Sequence, residues 1–318
     1  MTNRPKIYFL GSGVIACPVL KAIASSPELE LVGVGTQLDR PAGRSRRPTP
    51  TPVASAAAEI GIEAERIASV NAPEYLDGLR RKQPDIVLVI SFGQLLRAEL
   101  LSLPAAGCVN IHASLLPRYR GASPITQCIL NRDSETGVCF MAMERGLDTG
   151  AVYQTITLPL DHTEYAGELE FKLGRIAAEA APGILCSICR GELRPEPQDP
   201  VSATVCTKIR KSDGRIRWTG FCQEIEAMVR AYCPWPGAFS MVRTAKGEES
   251  ITLLRVAMRR DLAGRPGEVL QADKYGLVVA CGHGAIEIFE LAPPGRRSMS
   301  ATAWLNGLRG EIPEFLPR

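Results

Sequence analysis

The chain has 318 residues, of which 45% are apolar, and its 37 Lys/Arg against 34 Asp/Glu give a net charge of +3. This length exceeds that of a typical single domain, so we expect two domains with separate cores. No apolar run is long enough to cross a bilayer, and the chain enters its first predicted strand without a signal pattern. We therefore exclude the membrane-protein class and expect a cytoplasmic location. The ten cysteines lack the spacing of a secreted disulfide scaffold, and three histidines are too few for a histidine-rich metal site, so we expect no metal.

Strand and helix patterns alternate through the first half of the sequence. Residues 6–10 predict a buried strand, residues 14–25 a helix and residues 29–36 a second strand. Thr51 and Pro52 resemble the N-cap and first-turn proline of a helix that continues through Ile60. This alternation predicts an α/β fold with a Rossmann-like, doubly wound, mostly parallel sheet that binds a ligand beyond the carboxyl ends of its strands. The other elements predicted here are strands at residues 85–91, 107–112, 136–143 and 152–158 and helices at residues 124–131 and 164–189.

The pattern changes after residue 189. Residues 191–200 contain three prolines and alternating charge, which is the composition of a linker. Three short strand patterns follow, separated by Gly, Pro and Asp turns, together with one helical pattern at residues 222–231. They predict a small, OB-like β-barrel. We expect a catalytic domain at residues 1–189, a linker at 190–205 and a β-barrel domain at 206–318, where 17 Lys/Arg stand against 12 Asp/Glu.

A glycine-rich turn follows the first predicted strand. Gly11-Ser12-Gly13-Val14-Ile15-Ala16 matches the dinucleotide-binding fingerprint G-x-G-x-x-A, between a strand and a helix. The second strand, however, ends in Val34-Gly35-Thr36-Gln37 and lacks the acidic residue that would bind the ribose hydroxyls. We therefore favour tight packing of the strand against the helix over a nicotinamide site.

The most informative residues lie at the end of a predicted strand. Asn110 and His112 alternate along it, so both side chains leave the same face of the sheet. An amide donor and an imidazole on one face suit attack on a carbonyl, because both can stabilise the developing oxyanion. Asp148 lies in Gly146-Leu147-Asp148-Thr149-Gly150 and is a plausible carboxylate partner that orients the imidazole. This chemistry requires no serine or cysteine nucleophile.

These motifs resemble those of a known family. Asn110-Ile111-His112 followed by Ser114-Leu115-Leu116-Pro117-Arg118-Tyr119-Arg120-Gly121-Ala122 is similar to the signature of the 10-formyltetrahydrofolate-dependent formyltransferases, and Gly146 to Gly150 resembles their aspartate loop. The resemblance implies that Asn110, His112 and Asp148 are catalytic and that 10-formyltetrahydrofolate is the formyl donor. It also implies a folate site lined by Ser114, Leu115, Leu116 and Pro117, with Phe92, Gly93 and Leu95 in the loop that binds the pterin ring.

The acceptor depends on residues outside this strand. A Gly/Pro-punctuated loop after the second strand carries four arginines, which suit contacts with phosphates and base edges. Its Asp39-Arg40-Pro41-Ala42-Gly43-Arg44 core looks like the loop with which methionyl-tRNA formyltransferases enter the acceptor end of initiator tRNA. Residues 208–218 and 232–237 resemble the C-terminal domain of the same family. The implied tRNA-binding residues are Arg40, Arg44, Arg46, Arg47, Lys208 and Arg210.

Three functions remain open at this point. The first, implied by the resemblance, is formyl transfer from 10-formyltetrahydrofolate to the methionine α-amino group of initiator methionyl-tRNA, by a monomer that uses no metal and no membrane. The second is formyl transfer to a UDP-amino sugar, which would not need the arginine loop. The third is a non-enzymatic RNA-binding protein that keeps a formyltransferase scaffold but has lost the activity. The joint presence of Asn110, His112 and Asp148 counts against the third function.

Overall fold

The computed structural model describes residues 4–42, 47–245 and 247–317, without the side chains of Ala42 and Arg47. The chain divides into two compact units. The first comprises Met1–Pro124, Glu135–Pro159 and Leu169–Cys206, and the second comprises Ile125–Ser134, Leu160–Glu168 and Thr207–Arg318. Every helix in the described ranges is too short or too polar to span a lipid bilayer.

The described chain up to Cys206 contains strands and helices in close alternation. In chain order they are β1 (Lys6–Gly11), α1 (Ala16–Ser25), β2 (Glu30–Gln37), β3 (Arg40–Ala42), β4 (Arg47–Thr49), α2 (Pro52–Glu59), β5 (Glu65–Ile67), α3 (Pro73–Lys82), β6 (Ile86–Ile90), α4 (Ala98–Leu101), β7 (Cys108–His112), β8 (Arg120–Gly121), α5 (Pro124–Leu130), β9 (Glu135–Ala142), β10 (Val152–Pro159), α6 (Ala166–Cys189) and β11 (Val205–Cys206).

The first unit is built on a seven-stranded sheet in the order β10-β9-β7-β6-β1-β2-β5. The five strands from β7 to β5 run parallel, whereas β9 and β10 extend the sheet antiparallel beyond β7. The strand order reverses between β1 and β6, and such reversals form the ligand crevice of open α/β sheets. The predicted Rossmann-like, mostly parallel sheet is confirmed.

Local sequence explains most of these elements. β6 reads Ile-Val-Leu-Val-Ile and is buried along its whole length, as expected for a parallel strand covered on both faces. The predicted cap of α2 is confirmed, because Thr51 Oγ1 accepts the Ala54 N–H at 3.1 Å and Pro52 is the first helical residue. α3 was not predicted. Its sequence is strongly charged, and only Leu76 and Leu79 are buried, which leaves a weak helical pattern.

The second unit contains an antiparallel sheet in the order β14-β15-β16-β13-β12-β18, and β17 pairs with β16. Its elements after residue 206 are the 3-10 helix η1 (Lys211–Gly214), α7 (Cys222–Ala231), β12 (Ala238–Thr244), β13 (Gly247–Arg259), β14 (Val269–Asp273), β15 (Gly276–Ala280), β16 (Ala285–Ala292), β17 (Met299–Ser300), α8 (Ala301–Gly307) and β18 (Glu314–Phe315).

This sheet curves into a nearly closed barrel around an apolar core that includes Trp218, Trp304 and Phe315. Gly267, just before β14, lies so close to β18 that an added Cβ would stand 2.3 Å from the Phe315 carbonyl oxygen. Trp218 is fully buried inside, donates its indole N–H to Ser240 Oγ at 2.9 Å and meets Phe315 edge to face at 5.4 Å. The predicted small β-barrel is therefore confirmed.

Candidate active site

Asn110 and His112 lie at the carboxyl end of β7, which is held on both sides by β6 and β9. As predicted from their spacing of two, the residues lie on one face of the sheet. Both are buried, with 9% and 6% of their surface exposed. Among the described residues, the Asn110 amide has no hydrogen-bond partner within the chain, so its donor is free to bind a substrate oxygen.

The two ring nitrogens of His112 face different acceptors. Nε2 lies 2.8 Å from the backbone carbonyl oxygen of Tyr119. Because a carbonyl oxygen only accepts, Nε2 carries the proton of the neutral ring. Nδ1 lies 3.7 Å from Asp148 Oδ2, which is beyond hydrogen-bond distance, and the two groups form an ion pair when the ring is protonated. The imidazole is thus fixed at one nitrogen and faces a carboxylate with the other.

Asp148 reaches this position through an unusual loop conformation. Its φ is +53°, in the left-handed region that few non-glycine residues adopt. Its Oδ2 accepts the Gly121 N–H at 2.8 Å, and its backbone oxygen accepts a hydrogen bond from Gln198 Nε2 at 2.9 Å. At Gly150 an added Cβ would stand 1.8 Å from the Ala142 carbonyl oxygen, so only glycine permits this close return to β9.

The residues predicted to line the folate site follow β7 directly. Ser114 is 1% exposed, and its hydroxyl donates to the Arg118 carbonyl oxygen at 2.6 Å, so it holds the turn together. Leu115, Leu116 and Pro117 are partly exposed and are available to a ligand. The Leu116–Pro117 peptide bond is cis.

The predicted pterin loop connects β6 to α4. Phe92 is 2% exposed and packs in the core of the first unit, so its side chain faces away from solvent, whereas Leu95 is 72% exposed. Gly93 has φ +82° and lies against Gln37, whose amide donates to the Phe92 carbonyl oxygen. Gln94 bridges the loop to Val70 and to the Ile67 carbonyl oxygen. The loop therefore has a fixed shape and one projecting apolar side chain.

Only some of the predicted tRNA-binding residues can be placed. Arg40 is exposed and donates to Gln37 Oε1 at 2.6 Å. Arg44 and Arg46 lie outside the described residues, as does the side chain of Arg47. In the second unit, Lys208 and Arg210 are exposed just before η1.

The glycine-rich turn at residues 11–16 binds a carboxylate from elsewhere in the same chain. Glu170 on α6 accepts the Ile15 N–H at 3.2 Å, at the N-terminus of α1. A dinucleotide phosphate would bind at this helix end in a Rossmann fold. Burial raises the pKa of Glu170, and the Ile15 hydrogen bond offsets part of this effect. Glu170 was not predicted from the sequence, because its contact joins positions 155 residues apart.

The cysteines are consistent with the predicted reduced thiols. All ten are free, and burial raises the pKa of the Cys108 and Cys281 thiols to about 12. Within the described ranges, no three His, Cys, Asp or Glu side chains are grouped so that they could hold a metal ion.

Comparison with known proteins identifies the family. Residues 5–185 match the model "Formyl transferase", and residues 208–309 match "Formyl transferase, C-terminal domain". The chain belongs to the formyl transferase family. The formyltransferase is 38% identical over 306 residues to the methionyl-tRNA formyltransferase of Geobacter sulfurreducens, covering 96% of this chain and 95% of that protein. It is also 38% identical to the enzyme of that name from Chloroflexus aurantiacus, covering 96% and 98%. The predicted family resemblance is confirmed.

Solved structures support the fold of this formyltransferase. HypX from Aquifex aeolicus matches with a TM-score of 0.66 at 17% identity, covering 98% of this chain, which spans about half (49%) of HypX. Methionyl-tRNA formyltransferase from Clostridium thermocellum matches with a TM-score of 0.57 at 15% identity, covering 81% of this chain and 94% of that protein. The sugar 3N-formyltransferase WlaRD matches with a TM-score of 0.64 at 15% identity, covering 93% and 100%.

Proposed function

We propose that this formyltransferase moves the formyl group of 10-formyltetrahydrofolate to the α-amino group of methionine on initiator methionyl-tRNA, giving N-formylmethionyl-tRNA for translation initiation. The observation that carries the proposal is 38% identity to methionyl-tRNA formyltransferases along almost the whole chain, both domains included. Three solved sugar formyltransferases share the fold at 12–15% identity, as does the solved methionyl-tRNA formyltransferase at 15%, so the choice of acceptor rests on the relatives at 38% identity. A sugar acceptor is therefore less well supported.

We assign catalysis to Asn110, His112 and Asp148. The buried Asn110 amide lacks a partner within the described residues, which suits it to donate to the formyl oxygen. As the methionine amine attacks the formyl carbon, Asn110 and a protonated His112 would stabilise the negative oxygen. Asp148, 3.7 Å from His112 Nδ1, would stabilise the imidazolium and assist removal of the amine proton. Collapse of the tetrahedral intermediate would then break the bond between the formyl carbon and the folate nitrogen, which takes up a proton and leaves as tetrahydrofolate.

We assign donor and acceptor binding to separate parts of the chain. Leu115 to Pro117 and the loop around Gly93 and Leu95 flank β7 and β6 at their carboxyl ends and would hold the folate, with Ser114 and Phe92 shaping these loops from within. Residues 1–189 would carry catalysis, and residues 206–318 would bind tRNA. The residues proposed to contact tRNA are Arg40, Arg44, Arg46, Arg47, Lys208 and Arg210.

We further propose that the enzyme acts as a monomer in the cytoplasm, where its tRNA acceptor is used. The test of function is transfer of labelled formyl from 10-formyltetrahydrofolate to methionyl initiator tRNA, with methionyl elongator tRNA and a UDP-amino sugar as competing acceptors. Label on the initiator tRNA alone is expected. Label on the sugar would replace the proposal with the sugar function, and label on no acceptor would reject it.

A further inference from the structure

Residues 198–206, which we call the strap, run alongside the proposed catalytic loops in the first unit. The strap is not held by apolar burial alone, because Val201 and Val205 are 91% and 71% exposed. It is held by hydrogen bonds to the loop that carries Asp148 and to the segment after β7, whose Tyr119 carbonyl oxygen contacts the His112 ring.

One end of the strap contacts the aspartate loop. Gln198 Nε2 donates to two backbone oxygens, that of Asp148 at 2.9 Å and that of Gly150 at 2.7 Å. Gln198 Oε1 accepts a hydrogen bond from Arg120 Nε at 2.9 Å. A single amide therefore ties the loop that contains Asp148 to the segment that lies beside His112.

The other end pairs with the segment after β7. Thr204 makes three hydrogen bonds to this segment. Its Oγ1 accepts the Tyr119 N–H at 2.8 Å, and its carbonyl oxygen accepts the Arg120 N–H at 2.8 Å. Its own N–H donates to the Pro117 carbonyl oxygen at 3.2 Å. β11 then pairs in parallel with β8, and an added Cβ on Gly121 would stand 2.2 Å from the Cys206 oxygen.

These contacts converge on the two groups that orient the catalytic side chains. The Tyr119 carbonyl oxygen accepts the hydrogen bond from His112 Nε2, and the Gly121 N–H donates to Asp148 Oδ2. Thr204 fixes the backbone of Tyr119, and Cys206 fixes that of Gly121. Displacement of the strap would therefore change the distance between His112 and Asp148.

We propose that Gln198 and Thr204 are positioning residues, which set the geometry of Asp148 through the loop that carries it and that of His112 through the segment after β7 that contacts its ring. The proposal rests on the function proposed above. The strap would then contribute to the catalytic step as well as connect the two domains.

The test compares near-isosteric variants that remove only the hydrogen bonds. Gln198→Met and Thr204→Val are expected to lower kcat by about 10- to 100-fold with little change in either KM, because misplacement of catalytic groups slows the chemical step. Thr204→Ser keeps the hydroxyl and should restore kcat. Ser202→Ala is the matched control, since it removes a hydrogen bond of the strap to Asp199 that does not involve the loops. Thermal unfolding checks that all variants are folded.

A second readout does not depend on activity. The chain has only three histidines, so ¹⁵N-histidine NMR resolves His112, with assignments from His162→Asn and His283→Gln. Both strap variants should shift the His112 resonances and leave those of the other two histidines in place. Either wild-type kcat or unchanged His112 resonances in folded Gln198→Met and Thr204→Val would overturn the proposal. If the wild type transfers no formyl group, the proposed function fails and the NMR result alone decides the positioning role.

Discussion

At the scale of single residues, the site depends on contacts between groups that are distant in the sequence. His112 is held at Nε2 by Tyr119, and Asp148 is held at Oδ2 by Gly121. The left-handed φ of Asp148 requires a backbone conformation that costs free energy and persists only when neighbouring contacts support it. The proposed catalytic groups are therefore preorganised by the loops around them.

The first prediction concerns these groups directly. His112→Ala and Asp148→Asn should each lower kcat for formyl transfer by about 100-fold or more, because oxyanion stabilisation and proton transfer each contribute that much. The measurement is transfer of labelled formyl under saturating donor and acceptor. His162→Asn is the control, since asparagine tolerates the φ of +66° at that position. Near-normal turnover of a folded His112→Ala variant would remove the catalytic assignment.

The second prediction concerns Glu170. Burial raises its pKa in the folded protein, so the folded state favours the protonated carboxyl. The resulting stability is greatest below the ordinary pKa of 4.5 and decreases as the pH rises through the raised value. Glu170→Gln keeps an acceptor for the Ile15 N–H and removes this titration. The variant should therefore gain stability relative to wild type as the pH rises.

Urea unfolding between about pH 4 and pH 8 measures the difference in stability between Glu170→Gln and wild type. The difference should change with pH because Glu170 titrates in the folded wild type. Glu179→Gln on the same helix is the control, because the Glu179 side chain is 71% exposed. A stability difference for Glu170→Gln that does not vary with pH would contradict the prediction.

Among the elements, α7 contains a buried ion pair whose arginine also contacts the segment just before α6, within the same unit. Arg230 donates to both carboxylate oxygens of Glu226, at 2.5 and 2.9 Å, and to the Glu164 carbonyl oxygen at 3.1 Å. The Arg230 and Glu226 side chains are only 5% and 13% exposed. Removal of one partner would leave a buried charge without compensation, which is costly.

The third prediction follows from this pair. Arg230→Met should lower the free energy of unfolding of the second unit by about 3–5 kcal/mol, and adding Glu226→Leu should recover most of that loss. All three tryptophans, Trp218, Trp235 and Trp304, belong to this unit, so fluorescence in urea reports its unfolding. Arg265→Ala is the control, because its pair with Glu268 is exposed and should contribute less than about 1 kcal/mol. If Arg230→Met and the double variant lose the same free energy of unfolding, the uncompensated charge of Glu226 is not the cause of the loss.

At the scale of the whole molecule, charge is distributed unevenly along the chain. Residues 206–318 carry 17 Lys/Arg against 12 Asp/Glu, a net charge of +5, whereas the whole chain carries only +3. A basic C-terminal part of the chain suits a polyanionic acceptor, because each neutralised phosphate releases counterions and makes binding salt-dependent.

The fourth prediction uses that dependence. Lys208→Ala and Arg210→Ala should each raise KM for tRNA and reduce the slope of log affinity against log salt by about one, with KM for folate unchanged. Arg243→Ala is the matched control, since Arg243 is exposed in the same unit but bonded to Glu248 and Glu314. If the slope of log affinity against log salt is unchanged in both variants, Lys208 and Arg210 face solvent and do not contact the tRNA.

Short-range sequence patterns predict the local elements and the spacing of the proposed catalytic pair. A buried five-residue strand pattern fixes β7, and the period of two places Asn110 and His112 on one face. Thr51 and Pro52 likewise mark the start of α2. These features are predictable because their physical causes, side-chain periodicity and capping, act between residues close in the chain.

Long-range contacts complete the surroundings of that pair. The sequence motif predicts Asp148 as a partner of His112, whereas the tertiary structure sets its distance of 3.7 Å from Nδ1, places the strap against residues 117–121 and the loop of Asp148, and puts Glu170 at the N-terminus of α1. It also adds β9 and β10 antiparallel to an otherwise parallel sheet. These arrangements depend on which strands pair and how loops close over them. Hydrophobic periodicity specifies which face of a strand is buried but does not specify its neighbour or its direction.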